Sequence, residues 1–264
     1  MKEIQINEFR ELQMQILDYI DFFCRSNNIN YTLSGGTLLG AVRHGGYIPW
    51  DDDIDIQMLR DEYDRFTSLW NNNKEEHPYE FISIESGNGY GNTVGKVCNP
   101  KTVLMVRNTP FTGVFVDVFP VDNVLDLNDF HLRHDRVMKY RQKQSYLMAI
   151  KLKAYNNILQ KFLYKVRGRN ESLIEIAKKI NDIAKQRNND YNCPLLFEMV
   201  AGSRCKEPFA KEIFSTFIPI QFENRKYMSV KDYDSYLKAT FGDYMTLPPI
   251  EKRVRPHRFI AYWK

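Results

Sequence analysis

Four carboxylates fall within five consecutive positions at Asp51-Asp52-Asp53-Ile54-Asp55. On a strand, alternate side chains share a face. Asp51, Asp53 and Asp55 are then expected on one side, and Asp52 with Ile54 on the other. Two carboxylates about 4 Å apart repel by roughly 4 kcal/mol at an effective dielectric near 20. A fold relieves this by protonating one of them, by supplying a basic neighbour, or by binding a divalent cation. Oxygen donors alone suit a hard cation such as Mg2+. Taken by itself, the run is equally well a solvated acidic turn, since Asp favours turns.

About fifteen residues upstream stands Ser34-Gly35-Gly36-Thr37, between a strand-like and a helix-like segment. Glycines there let a phosphate approach backbone N–H groups at a helix N-terminus, although a Gly-Gly pair alone is more often a tight turn. A backbone cradle and carboxylates that hold a metal against a phosphate are the parts phosphoryl transfer needs. Asp117 lies in the apolar run Val114-Phe115-Val116-Asp117-Val118-Phe119. An unpaired charge there would be costly to bury. Asp117 is read as a metal ligand or general base, the alternative being a pair with a core Arg or Lys. Asp122, after Pro120, reads as a turn or cap, and Arg60 as a structural partner for an Asp.

The basic candidates for a phosphate are Arg43 and His44, Lys96 between Gly95 and Val97, and Arg253, Arg255, His257 and Arg258 after Pro248-Pro249. A guanidinium grips phosphate in two places, which an ammonium does not. For each, a salt bridge or a solvated side chain is the alternative, and it leads for Arg255 and Arg258.

The elements that must position these groups follow from periodicity. Residues 7 to 26 read as an amphipathic helix with Asn7 as N-cap, carrying Phe9, Leu12, Ile16, Leu17, Ile20 and Phe23 on one face. Tyr31 to Leu33 reads as a strand, Thr37 to His44 as a short helix stopped by Gly45-Gly46, and Ile48 to Met58 as a strand. Arg60 to Trp70 returns to helical spacing. Strands are expected at Tyr79 to Ile84, Thr93 to Cys98, Val103 to Val106 and Val114 to Phe119, with a glycine-rich turn between the first two. From Asp126 to about Asn189 the pattern is helical with a break near Gly168. A strand at Phe217 to Phe222, a helix at Lys231 to Thr240 and a Pro- and Arg-rich tail complete the chain.

Composition bounds the rest. The 264 residues are 43% hydrophobic and 14% aromatic, enough for a buried core rather than a disordered chain. No stretch approaches the roughly 20 apolar residues of a membrane span. The N-terminus lacks the apolar region of a secretory signal, so a cytoplasmic location is expected, extending to the inner face of a membrane. The four cysteines are widely spaced and form no zinc pattern, and read as free thiols. The net charge of +4 hides an asymmetry: residues 127 to 190 hold 15 basic and 6 acidic residues, the remainder 22 and 27. That basic helical segment reads either as a face for an anionic membrane or glycan, or as a solvated surface. No nucleic-acid-binding motif accompanies it.

The block from Leu33 to Ile56 resembles the signature of the LicD family, which includes bacterial phosphocholine transferases and fukutin-type ribitol-phosphate transferases. It holds Ser34-Gly35-Gly36-Thr37, Arg43-His44-Gly45-Gly46, Pro49-Trp50 and the acidic run. Val116-Asp117-Val118-Phe119-Pro120-Val121-Asp122 resembles the family's second acidic strand. Tyr233 to Leu237, Phe241 to Met245 and Leu247-Pro248-Pro249 through Arg253 and His257 resemble its C-terminal block. That block departs from the pattern at Phe241, often Tyr, and at Ser229, where Pro is common.

The resemblance implies an α+β fold: a nucleotidyltransferase-like mixed sheet with flanking helices and a helical insertion or lobe. The expected division is a catalytic core at 1–125, a helical acceptor- or membrane-facing lobe at 126–212, and a segment at 213–264 that completes the catalytic unit. It implies Mg2+ (or Mn2+) on Asp53, Asp55 and Asp117. Ser34, Gly35, Gly36, Thr37, Arg43, His44, Lys96, Arg253 and His257 would serve the donor phosphates. The implied reaction moves a phosphorylated alcohol, phosphocholine first, from a CDP-linked donor to a sugar hydroxyl of a cell-surface glycan or its lipid-linked precursor. Apart from the resemblance, Trp50 and Tyr47 beside the acidic run read as ordinary core or cleft wall, the alternative being a base or choline pocket in which aromatic faces meet a quaternary ammonium. The competing readings are nucleotidyl transfer from an NTP, and a non-catalytic glycan- or membrane-binding protein on the same fold.

Overall fold

The first helix shows how closely periodicity and packing agree. Helix α1 (Ile6–Ser26) buries Phe9, Leu12, Ile16, Leu17, Ile20 and Phe23 along one stripe. Its N-cap is Gln5, not Asn7, and Gln5 makes no side-chain cap bond. The computed structural model describes residues 1–86, 91–107, 109–168, 171–201, 207–254 and 259–264.

Strand β1 (Thr32–Leu33) runs into helix α2 (Gly35–His44), which starts two residues earlier than its spacing suggests. Gly35 opens the helix at φ 50°, a left-handed conformation that glycine adopts without steric cost. Gly45 closes it at φ 71°. Strand β2 (Asp55–Leu59) is much shorter than the expected Ile48 to Met58, so strand alternation does not govern Asp51, Asp52 and Asp53. Helix α3 (Arg60–Asn72) follows, then strands β3 (Glu80–Ile82), β4 (Gly95–Cys98), β5 (Thr102–Val106), β6 (Thr109–Thr112) and β7 (Phe115–Val124).

The main sheet has the order β1-β2-β7-β4-β3, with β2 and β7 parallel and the other pairs antiparallel. Strand β7 passes straight through Pro120. Proline cannot donate to a ladder, so it needs a position with one open flank. Among the described residues, β4 pairs with β7 only as far as Val118, and strand β8 (Leu195–Phe197) joins at Asp122, which leaves that gap at Pro120.

This continuation corrects the reading of Asp122 as a turn or cap. Asp122 is fully buried within β7 and accepts from Arg60 Nε at 2.8 Å and Nη2 at 3.1 Å, and from Asn188 Nδ2 at 2.9 Å. Arg60 is thus structural, as expected.

Helices α4 (Leu127–Lys151), α5 (Ile158–Gly168) and α6 (Leu173–Ala184) fill the basic segment, with α4 packed on both others. A break at residues 152–157 adds to the expected one near Gly168. Ser172 and Glu175 cap α6 reciprocally. Strand β9 (Phe209–Ala210) pairs with β8, and β10 (Phe217–Phe222) forms a hairpin with β11 (Arg225–Val230). Helix α7 (Tyr233–Phe241) packs on α2. Strand β12 (Ile260–Trp263) pairs with β5, while Ile4 donates its N–H to Ala261 O at 2.8 Å. Helices pack around the main mixed sheet, which a two-stranded sheet (β10-β11) and a three-stranded sheet (β12-β5-β6) accompany, and the fold is α+β.

Candidate active site

Three charged residues form a row across the middle of the sheet. Asp117 on β7 is the register partner of Asp55 on β2 and of Lys96 on β4. Adjacent strands lie about 4.8 Å apart, so such neighbours interact directly. The Lys96 ammonium ion-pairs with Asp117 Oδ1 and also lies 3.5 Å from the centre of the Phe115 ring. Asp55 and Lys96 are buried, at 2% and 5% exposure, whereas Asp117 is half-buried. The two readings of Asp117 therefore coincide in place: it has a basic partner, and it faces a cavity.

The start of α2 is fastened to the start of β2. Ser34 N–H donates to Asp55 O at 3.0 Å, and Asp55 N–H donates to Thr37 Oγ1 at 2.9 Å. The Tyr236 hydroxyl, from α7, accepts from Gly35 N–H at 3.2 Å and lies 3.2 Å from Ser34 Oγ. At Gly36 a Cβ would come within 2.5 Å of Asp51 Oδ2. A carboxylate thus sits against the positive end of the α2 dipole.

The acidic run is held as irregular chain by α1. Arg10 Nη2 donates to Asp51 O at 2.7 Å and Pro49 O at 3.2 Å, and Gln13 Nε2 donates to Asp52 O at 3.2 Å. Tyr47 is a buried clamp, donating to Gln13 Oε1 at 3.0 Å beneath the Arg10 guanidinium. The carboxylates of Asp51, Asp52 and Asp53 each offer an oxygen within 4.8 Å of the others. Asp52 therefore shares a cluster with its neighbours instead of pointing to a far face. A cluster of hard oxygen donors at this spacing fits a cation such as Mg2+.

A cavity of about 300 Å³ opens over the row, lined by Ser34, Gly35, Asp55, Lys96 and Asp117 together with Tyr236. Arg141 of α4 also lines it. Its Nη1 donates to Val200 O at 2.8 Å and Thr93 Oγ1 at 3.3 Å, and burial pushes its pKa down. Sequence reading missed Arg10, Gln13, Arg141 and Tyr236. All four act across long sequence separations; the surplus of basic residues in the helical segment hinted at Arg141, and Tyr236 falls in the C-terminal block without a role read for it.

Arg43, His44 and Arg253 gather elsewhere, around Trp50. Arg43 and His44 close α2, whose 10 residues span about 15 Å from Gly35. Arg43 Nη1 donates to Tyr244 O at 2.7 Å and its Nε to His44 Nε2 at 3.1 Å. The Arg253 guanidinium lies 5.4 Å from the Trp50 ring centre. Burial, and then Arg253, lowers the Arg43 pKa, while burial, and then Arg43, lowers that of His44. These basic residues form a second patch, outside the cavity lining. His257, with Arg255 and Arg258, lies outside the described residues.

The comparisons with known proteins agree with this geometry. Residues 28–150 match the family model described as LicD/FKTN/FKRP, nucleotidyltransferase domain. The lipopolysaccharide cholinephosphotransferase LicD of Haemophilus influenzae is 31% identical over 268 residues, covering 97% of either chain. The ribitol 5-phosphate transferases FKRP of Mus musculus and Homo sapiens are each 47% identical over 44 residues, 17% of this chain and 9% of theirs. The fold, the acidic and basic row, and these matches define a phosphotransferase. The chain belongs to the LicD family.

Proposed function

We propose that the protein transfers a phosphorylated alcohol, phosphocholine first, from a CDP-linked donor to a sugar hydroxyl of a cell-surface glycan or its lipid-linked precursor. The observation that carries this reading is the row Asp55–Asp117–Lys96 on the wall of a cavity that also reaches the start of α2. Likeness to the Haemophilus cholinephosphotransferase along nearly the whole chain supports phosphocholine over ribitol phosphate. Free buried thiols at Cys24, Cys98 and Cys193 fit a cytoplasmic location.

In this reading Asp53, Asp55 and Asp117 hold Mg2+ (or Mn2+), with Asp51 and Asp52 close by. The all-oxygen cluster of Asp51, Asp52 and Asp53 supports the choice of a hard cation, and Asp55 and Asp117 line the cavity. A bound Mg2+ would neutralise the donor diphosphate. The protein's own groups do the remainder. Lys96 holds Asp117 in place and adds positive charge beside the phosphates. The acceptor oxygen bonds to the donor phosphorus as the bond to CMP breaks. The acceptor proton passes to a site carboxylate, Asp117 or another Asp of the site.

The test incubates the purified protein and a glycan acceptor with Mg2+ and, in turn, CDP-choline, CDP-ribitol, CDP-glycerol and NTPs. The expected result is CMP released fastest from CDP-choline, with phosphocholine on the acceptor. Pyrophosphate from an NTP, with no CMP from any CDP-linked donor, would replace this reading with nucleotidyl transfer.

A further inference from the structure

Helix α5 carries its apolar face outward. Ile158, Leu159, Phe162, Leu163 and Val166 are exposed at 85%, 67%, 61%, 40% and 40%. At 3.6 residues per turn these five cover a continuous arc of about 140°. The face turned to the protein is the polar one: Gln160, Lys161 and Tyr164 are half-buried. Tyr164 stacks on Tyr146 of α4 at 5.2 Å, and Gln160 Nε2 donates to its hydroxyl at 2.7 Å. A surface helix of a globular protein does the reverse.

Charge identifies what covers this face. Lys165 and Arg167 border the apolar arc, one on each edge, and Lys151 and Lys153 are exposed just upstream. From Arg136 to Asn170 there are ten Lys and Arg and no Asp or Glu. An apolar arc edged by cations, in a stretch without acidic residues, matches anionic headgroups above an acyl layer. At 11 residues, about 16 Å, α5 is too short to cross a bilayer and suits lying in its surface. It is joined to α4, which carries Arg141 at the cavity roughly 15 Å before its end at Lys151.

We propose that α5 docks the protein on an anionic bilayer, with Ile158, Leu159, Phe162, Leu163 and Val166 among the acyl chains and Lys165 and Arg167 at the headgroups. This stands apart from the reaction assigned above, and its test does not read turnover.

The full chain is floated with vesicles of phosphatidylglycerol and phosphatidylcholine, and with phosphatidylcholine alone. Binding to the anionic vesicles should exceed that to the neutral ones by about tenfold or more and fall with salt. The double variant Leu159→Ser/Phe162→Ser should lose about tenfold or more of this binding. Its melting temperature should stay at the parent value, because the side chains it alters are exposed. Lys165→Gln/Arg167→Gln should lower the binding and flatten its salt dependence. The proposal fails if the parent does not float with anionic vesicles, or if the serine variant floats as well as the parent. It fails equally if the serines lower the melting temperature, which would place this face inside the folded molecule. Self-association without vesicle binding, abolished by the serines, would assign the face to a second copy of the chain instead.

Discussion

Asp55 and Asp117 stand side by side as register partners of β2 and β7, with Lys96 on the opposite flank of Asp117. Strand pairing holds the backbone of each residue whatever its side chain, so the amides should fold. Asp55→Asn and Asp117→Asn are expected to lower CMP release by about 10²–10⁴-fold, the range for a lost general base or an equivalent charge. Thermal melts should show both variants folded. Near-parental turnover in Asp117→Asn would remove it from the reaction.

The Asp51 carboxylate occupies the space a side chain on Gly36 would need, 2.5 Å from an added Cβ. Gly36→Ala should push that carboxylate off the helix start and loosen the Asp51–Asp53 cluster. Calorimetric titration with Mg2+ and Mn2+ is expected to show affinity reduced by about tenfold, equal to 1.4 kcal/mol. Unchanged titration by both ions would mean that the cluster tolerates the shift or takes no part in holding a cation.

Arg60 and Asp122 form a bidentate pair buried on both sides, at 3% and 0% exposure. Removing Asp122 leaves the buried Arg60 with only the longer contact to Asp64, 3.8 Å from Nη1, and breaking a buried pair typically costs about 3–5 kcal/mol. Asp122→Ala should therefore lower unfolding free energy by that amount in urea, while CMP release per folded molecule stays near parental. A loss below about 1 kcal/mol would show that water reaches Arg60 and that the pair contributes as a surface bridge does.

Local pattern made much of this legible and tertiary pairing made the rest opaque. The α1 stripe, the Gly45 stop of α2 and the strand holding Asp117 were readable because each depends on neighbours in sequence, whereas residues 87–90 of the expected glycine-rich turn lie outside the described residues. Asp122 was misread because Pro120 suggests a stop. Its effect depends on which strands flank β7, and those come from β4 and from β8, far along the chain. The acidic run misled for a related reason: alternation assumes a strand, and Arg10 and Gln13 hold Asp51 and Asp52 in another conformation. Tyr236 reaches Gly35 across some 200 positions, beyond any periodicity.

His44, His77 and His134 all have pKa values below the ordinary histidine range, with burial the leading cause in each. Folding therefore favours their neutral forms. Between the lowered folded values and the unfolded value near 6.5, the unfolded chain binds more protons. The stability tied to the neutral rings is present above about pH 6.5 and is lost as pH falls through this window. Melting temperature should drop from pH 7.5 to 5.5. His77→Gln should shrink that drop, since its ring lies 4.3 Å from Trp70 and meets Tyr19 OH at 2.8 Å. An identical pH slope in the variant would assign the effect to other groups.

Arg141 links the basic helices to the chemistry. Its guanidinium lines the same cavity as Asp55, Lys96 and Asp117, and Val200 O and Thr93 Oγ1 hold it in place. Among the described residues no carboxylate lies within 4.0 Å of it to form an ion pair, and burial disfavours its charged form. An anion entering the cavity would supply the missing partner, so binding energy is available there for a phosphate of the donor or of the acceptor. Arg141→Gln should weaken substrate binding by about tenfold or more, the scale of one charge-assisted hydrogen bond. Arg141→Lys should not restore it, because an ammonium cannot both keep the Val200 contact and present a planar fork. Calorimetry with CDP-choline separates the two sources. Weaker CDP-choline binding assigns Arg141 to the donor, whereas unchanged binding with a raised KM for the glycan assigns it to the acceptor. If neither quantity moves in Arg141→Gln, the guanidinium serves only to tie α4 to the loop at Val200.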